Sequence, residues 1–157
     1  MHTRSCESGF TLAEMLISLA LMALLVTAAA MGIHAAQVSH AYNTEKADLV
    51  ARVRGVLDRI ARDIRRADSF SVPDGDDKVV TITMPDGSTR AYEWDGEDGG
   101  DLTLTVDGGT PATLTGFVHS FVVSDDNQPT CEVRLELVGD KAATEASITA
   151  TPRKELF

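Results

Sequence analysis

From Met15 to Ala36 the chain runs for 22 residues without a charged side chain, and only Ser18, Thr27, Gly32 and His34 break its apolar character. As a helix rising ~1.5 Å per residue, such a run spans about 33 Å, close to the ~30 Å hydrocarbon core of a bilayer. A secretory signal is the first competitor, because Arg4 supplies a positive charge ahead of the run. The apolar part of a signal is shorter, roughly 7–15 residues, and it does not open on a carboxylate such as Glu14. A lipoprotein signal fails on Cys6, which follows "HTRS" with no apolar segment before it.

Glu14 needs its own account, since an ionisable side chain in a membrane helix costs roughly 3 kcal/mol or more and normally has a partner or a function. One reading places it on the first helical turn near the interface, where a carboxylate suits the positive end of the helix dipole. Another starts from "GF" at positions 9 and 10. If the chain is cut between Gly9 and Phe10, Phe10 gains a positive amine. Glu14, four residues on, can then answer that amine or a neighbouring subunit's. A charge that is costly in lipid and satisfied by another subunit is a device for assembly, and it helps to set axial register.

At these residues the chain resembles the type IV pilin and type II secretion pseudopilin superfamily. The string that carries the resemblance is "GFTLAEMLISLALMALL", behind a short polar leader. The resemblance implies that a prepilin peptidase cuts after Gly9, that Phe10 is N-methylated, and that Glu14 supports docking into a filament. It also implies partners: other pilin or pseudopilin subunits, the peptidase, an inner-membrane assembly platform, and membrane lipid before assembly. The implied location is the inner membrane, crossed once with the C-terminal domain outside the cytoplasm, and afterwards a periplasmic or extracellular filament. Two features differ from many major pilins. The first proline is Pro73, so none lies in the apolar run, and the mature chain would keep only Cys131, which allows no intramolecular disulfide. Both point to a minor subunit, at or near the tip. The stretch "LDRIARDIRRADSF" is similar to minor pseudopilins of the J class and related minor pilins.

Beyond the apolar run helical periodicity continues. Leu49, Val53, Val56, Leu57, Ile60, Ile64 and Ala67 recur at steps of three and four and make one apolar stripe. Arg52, Arg59, Arg62, Arg66, Asp58 and Asp63 are expected on other faces, with Asp58–Arg62 and Arg59–Asp63 as solvated i,i+4 pairs. No proline interrupts residues 10–68, so one helix approaching ~90 Å is expected. After Phe70 the texture changes to short alternating runs: "KVVTITM", "TRAYEW", "DLTLTV", "GFVHSFVV", "CEVRLELV" and "ASITAT" read as strands. "PDGS" separates the first two as a hairpin signal. Cys131, alternating with Val133, Leu135 and Leu137, reads as a small core residue, and Tyr92 and Trp94 share one strand face.

The expected fold is therefore α+β and pilin-like, with a long N-terminal helix packed by its soluble half against a C-terminal antiparallel sheet. The expected boundaries are a leader over 1–9, a membrane or filament-core helix over 10–37, the soluble half of that helix over 38–68, and a β-rich domain over 69–157.

Charge is unevenly spread. Residues 38–69 carry seven Lys/Arg against five Asp/Glu, a net of +2, and residues 70–157 carry six against seventeen, a net of −11. So acidic a body argues against nucleic-acid binding, which needs a basic footprint. The loop "DGEDGGD" gathers Asp95, Glu97, Asp98 and Asp101, and "DGDDK" forms a second acidic cluster at 74–78. Calcium takes roughly six to eight oxygens, and neither loop has EF-hand spacing. Acidic turns kept apart by charge are the simpler reading, so no cofactor is expected, with calcium at Asp95, Glu97, Asp98 and Asp101 as the alternative. His34, His40 and His119 lack metal-ligand spacing, and no nucleophile elbow, phosphate loop or zinc motif is present. The sequence therefore reads as a structural subunit rather than an enzyme. Two other readings stay open: a tip-binding module, either adhesin or uptake receptor, and an uncleaved helix anchoring a periplasmic domain.

Overall fold

A computed structural model describes residues 11–73, 77–127 and 130–152 of the chain. The cleavage and methylation positions, Gly9 and Phe10, and most of the "DGDDK" cluster lie outside the described residues. Among the described residues a single helix, α1 (Leu12–Arg66, 55 residues), is followed by seven strands. They are β1 (Ser69–Ser71), β2 (Val79–Thr83), β3 (Thr89–Trp94), β4 (Gly100–Val106), β5 (Ala112–Asn127), β6 (Thr130–Val138) and β7 (Ala143–Ala150). They form one antiparallel sheet in sequence order, each strand beside the next. This is the α+β architecture expected, a long helix packed against an antiparallel sheet. The described chain divides between Ala41 and Tyr42 into two compact units, and α1 contributes to both.

In the first unit every described side chain before Ala41 is exposed, including Leu16, Leu24 and Ile33. An exposed apolar surface on all sides of a helix belongs to a membrane span or to a packed bundle. The helix is long and apolar enough to cross a membrane once.

In the second unit the predicted stripe is the buried face of α1. Leu49, Val53, Val56, Leu57, Ile60 and Ile64, with Ala67 just beyond, share one core with Val80, Ile82, Leu102, Leu104, Phe121, Val133 and Leu135. Each fully buried aliphatic of this kind stabilises by roughly 1.5–3 kcal/mol. Cys131 lies in the same core at zero exposure, and burial pushes its thiol up to about 12. It is a small hydrophobe, not a thiolate. Tyr92 is fully buried and Trp94 half-buried on their shared face.

Turn chemistry fixes strand register. Between β2 and β3, Met84 N–H donates to the Ser88 carbonyl at 2.8 Å and Gly87 N–H donates to the Met84 carbonyl at 2.9 Å. Gly87 has φ 85°, a conformation that glycine adopts without strain, and the Asp86 carboxylate accepts from the Ser88 N–H and hydroxyl.

Three local expectations change. Asp63 is buried on the core face and pairs with β3, not with Arg59 on a solvated face. Strand β1 is unforeseen, because three residues are too few to show alternation. It forms as the chain leaves the helix, where Asp68 N–H meets the Thr83 carbonyl at 2.9 Å. The strand read from "GFVHSFVV" extends to Ala112–Asn127, with register shifts against both neighbours. Those bulges insert residues and break the period of two that sequence reading depends on.

Candidate functional site

The start of α1 is built by a reciprocal pair. Glu14 N–H donates to Thr11 Oγ1 at 3.3 Å, and the Glu14 carboxylate accepts from Thr11 N–H at 2.9 Å and from Thr11 Oγ1 at 3.0 Å. This is a capping box: two otherwise orphaned donors of the first turn are satisfied by two side chains three residues apart. Both bonds to the carboxylate fall on Oε2, and among the described residues Oε1 takes none. One oxygen of Glu14 thus holds the helix start while the other stays available to a cation. Thr11 was not singled out from the sequence, although "TLAE" carries the spacing of the box. Further along, Thr27 Oγ1 donates to the Ala23 carbonyl at 2.8 Å, so its hydroxyl is satisfied within the helix.

The far half of α1 carries a second carboxylate. Asp63 is 4 % exposed. It accepts from Arg90 Nη1 on Oδ1 and from the Tyr92 hydroxyl on Oδ2, each at 2.6 Å. Burial, followed by the bond to Asp63, pushes the Tyr92 phenol above its ordinary range, so it remains a donor at neutral pH. The same carboxylate, by its hydrogen bond, holds Arg90 more firmly in its charged form. With both oxygens engaged by β3, this group ties the helix to the sheet at a fixed height. It is a structural clamp.

The acidic loop between β3 and β4 is occupied with its own geometry. Asp95 Oδ1 accepts from Glu97 N–H at 3.0 Å, and its Oδ2 accepts from Asp101 N–H at 3.2 Å. Asp101 Oδ2 accepts from the Thr113 hydroxyl at 3.3 Å, and Asp98 Oδ1 lies 2.7 Å from His119 Nδ1. The structure thus joins Asp95 to Asp101 and turns Asp98 away to β5, while Glu97 contributes its carbonyl to Gly100 N–H. Among the described residues no group of three or more His, Cys, Asp or Glu is placed to hold a metal ion. The bond to Asp98 holds His119 above its ordinary value, so the pair is ionic over a wider pH range than a free histidine would allow.

Residues 4–30 match the family model of the prokaryotic N-terminal methylation motif. No curated protein and no solved structure matches the chain. A methylation motif that leads into a long helix packed on an antiparallel sheet agrees with the broad pilin and pseudopilin fold, and with a structural role of that general kind.

Proposed function

We propose that this chain is a minor pilin or pseudopilin, cut after Gly9 and N-methylated on Phe10, that enters a type IV pilus or a type II secretion pseudopilus at or near its tip. The observation that carries the reading is the methylation motif over residues 4–30 running directly into a helix whose distal stripe is covered by a sheet. Before assembly the apolar half of α1 sits in the bilayer. On assembly its lipid contacts are exchanged for helix packing, an exchange between surfaces of similar polarity. Removing a charge from lipid then gives direction to the step. Glu14 keeps its helix cap through Oε2 and presents Oε1 to the amine of a neighbouring Phe10, so capping and docking do not compete. The acidic sheet domain faces outward. No catalytic step is assigned to it, and the partners in this reading are other pilin-like subunits, the peptidase and the assembly platform.

The mass of the N-terminal peptide from membrane-expressed protein tests the first step. A methylated Phe10 terminus is expected, and a chain beginning at Met1 in cells with active prepilin peptidase overturns the reading. Glu14→Ala tests the second step. The variant is expected to stay folded in the membrane and to be missing from sheared filaments; normal incorporation removes Glu14 from the assembly mechanism.

A further inference from the structure

Phe117 has φ 63°, in the left-handed region where a bulky side chain is an outlier. It lies in a bulge of β5: Leu102 pairs with Thr115 and Gly100 with Val118, so Gly116 and Phe117 stand against Asp101 alone. Burial does not offset the strain, because Phe117 is 54 % exposed. A bulge re-aims a side chain, and here the ring lines a groove beside α1 with Glu45, Leu49 and Arg52, closed at the other wall by Gly139 and Asp140. This cavity holds about 170 Å³. One turn further along α1 a second hollow of about 270 Å³ opens over Gly55, flanked by Val56 and Leu114. A Cβ on Gly55 would meet nothing within 4 Å, so the hollow is open to an incoming group.

Both volumes fall below the ~300 Å³ at which small-molecule pockets begin, so they suit inserted side chains rather than a metabolite. The two hollows follow α1 over residues 45–59, about 21 Å at 1.5 Å per residue, the length of a helix laid alongside for a few turns. Glu45, Asp48 and Asp140 rim the Phe117 end against Arg52, whereas Arg52 and Arg59 flank the second hollow, so the acidic rim belongs to the Phe117 end. We infer that Phe117 and the acidic end of this groove are the docking site for a neighbouring filament subunit, which presents a helix bearing a large apolar side chain flanked, where it meets Phe117, by Lys or Arg. A second copy of this chain is the poorer occupant: its residues 38–69, mostly helix, carry a net charge of +2, but they come with their own sheet domain, whose net charge of −11 over residues 70–157 would be brought to an acidic rim. An anionic lipid surface is disfavoured by the same rim. The inference rests on the reading of the chain as a filament subunit and names the chemistry of its neighbour.

The test places the photo-crosslinking aromatic p-benzoylphenylalanine at position 117 of the full chain, in cells that carry the assembly machinery. Irradiation is expected to give an adduct whose peptide belongs to the helix of a different pilin-like subunit, within one turn of a Lys or Arg. An adduct to a second copy, to lipid, or no adduct at all overturns the inference. Phe117→Gly supplies an independent readout, since glycine accepts the left-handed backbone without strain. That variant is expected to keep the protease resistance of the sheet domain and to lose incorporation by about tenfold or more. Undiminished incorporation overturns the inference, and if the variant loses protease resistance the crosslink alone decides. The N-terminal mass from the same samples separates the two levels: a methylated Phe10 terminus without an adduct defeats the docking site only, whereas a Met1 terminus defeats the filament reading and the docking site with it.

Discussion

Glu14 and Asp63 stand on the same helix, and their oxygens are satisfied at very different range. Glu14 finds its donors three residues back, on Thr11, within the first turn. Asp63 finds its donors 27 and 29 residues on, at Arg90 and Tyr92 of β3. The first arrangement exists as soon as one turn of helix exists, and it leaves an oxygen over. The second exists only once the sheet has closed on the helix, and it uses both oxygens. A local cap can thus be combined with a role towards another molecule, whereas a buried clamp is committed to the fold that made it.

Removing the clamp should cost most. Asp63→Ala leaves the Arg90 charge and the Tyr92 hydroxyl without their acceptor, and breaking a buried pair from one side costs about 3–5 kcal/mol. Arg90 keeps a third of its side chain exposed, so a loss near the lower end of that range is expected in denaturant titrations of the full chain in detergent. A loss of only ~1 kcal/mol would erase the contrast, because it would put the clamp level with an ordinary helix cap. Tyr92→Phe removes one donor and leaves the salt bridge in place, and should cost about 1–2 kcal/mol by the same titration.

Thr11→Ala sharpens the other side of the comparison. It should cost ~1 kcal/mol of local helix stability, read as faster amide exchange over the first turn, while the sheet domain is unaffected. If Glu14 acts in assembly through its charge, this variant still enters filaments where Glu14→Ala does not. Equal defects in the two would instead make capping the whole role of Glu14.

The smallest effect is electrostatic and exposed. The folded His119 value is raised, so its pairing with Asp98 is fully present below the ordinary histidine value of ~6.5 and is lost as pH rises through the raised one. A proton NMR titration should place the His119 midpoint above that of a free histidine, and Asp98→Asn should bring it back. No change on Asp98→Asn would mean that the 2.7 Å contact is not made in solution.

Periodicity made much of this legible. The stripe from Leu49 to Ala67 repeats at three and four because it faces one sheet, and the runs "TRAYEW" and "CEVRLELV" alternate because one side of each is buried. The capping box was equally readable, as a spacing of three between Thr11 and Glu14. The acidic loop was ambiguous, since "DGEDGGD" looks the same whether its carboxylates face a cation or accept from their own turn, as Asp95 does.

By itself, then, the sequence determined the apolar run, the polar pair that begins it, the stripe that continues it and the strands that follow, because each depends on residues only a few positions apart. Only the tertiary structure decided that Asp63 is buried rather than solvated, that β5 bulges at Gly116 and Phe117, and that an exposed aromatic lines a groove on the helix. Those features depend on which strand lies opposite and in what register. A partner tens of residues away leaves no periodic trace in the chain that meets it.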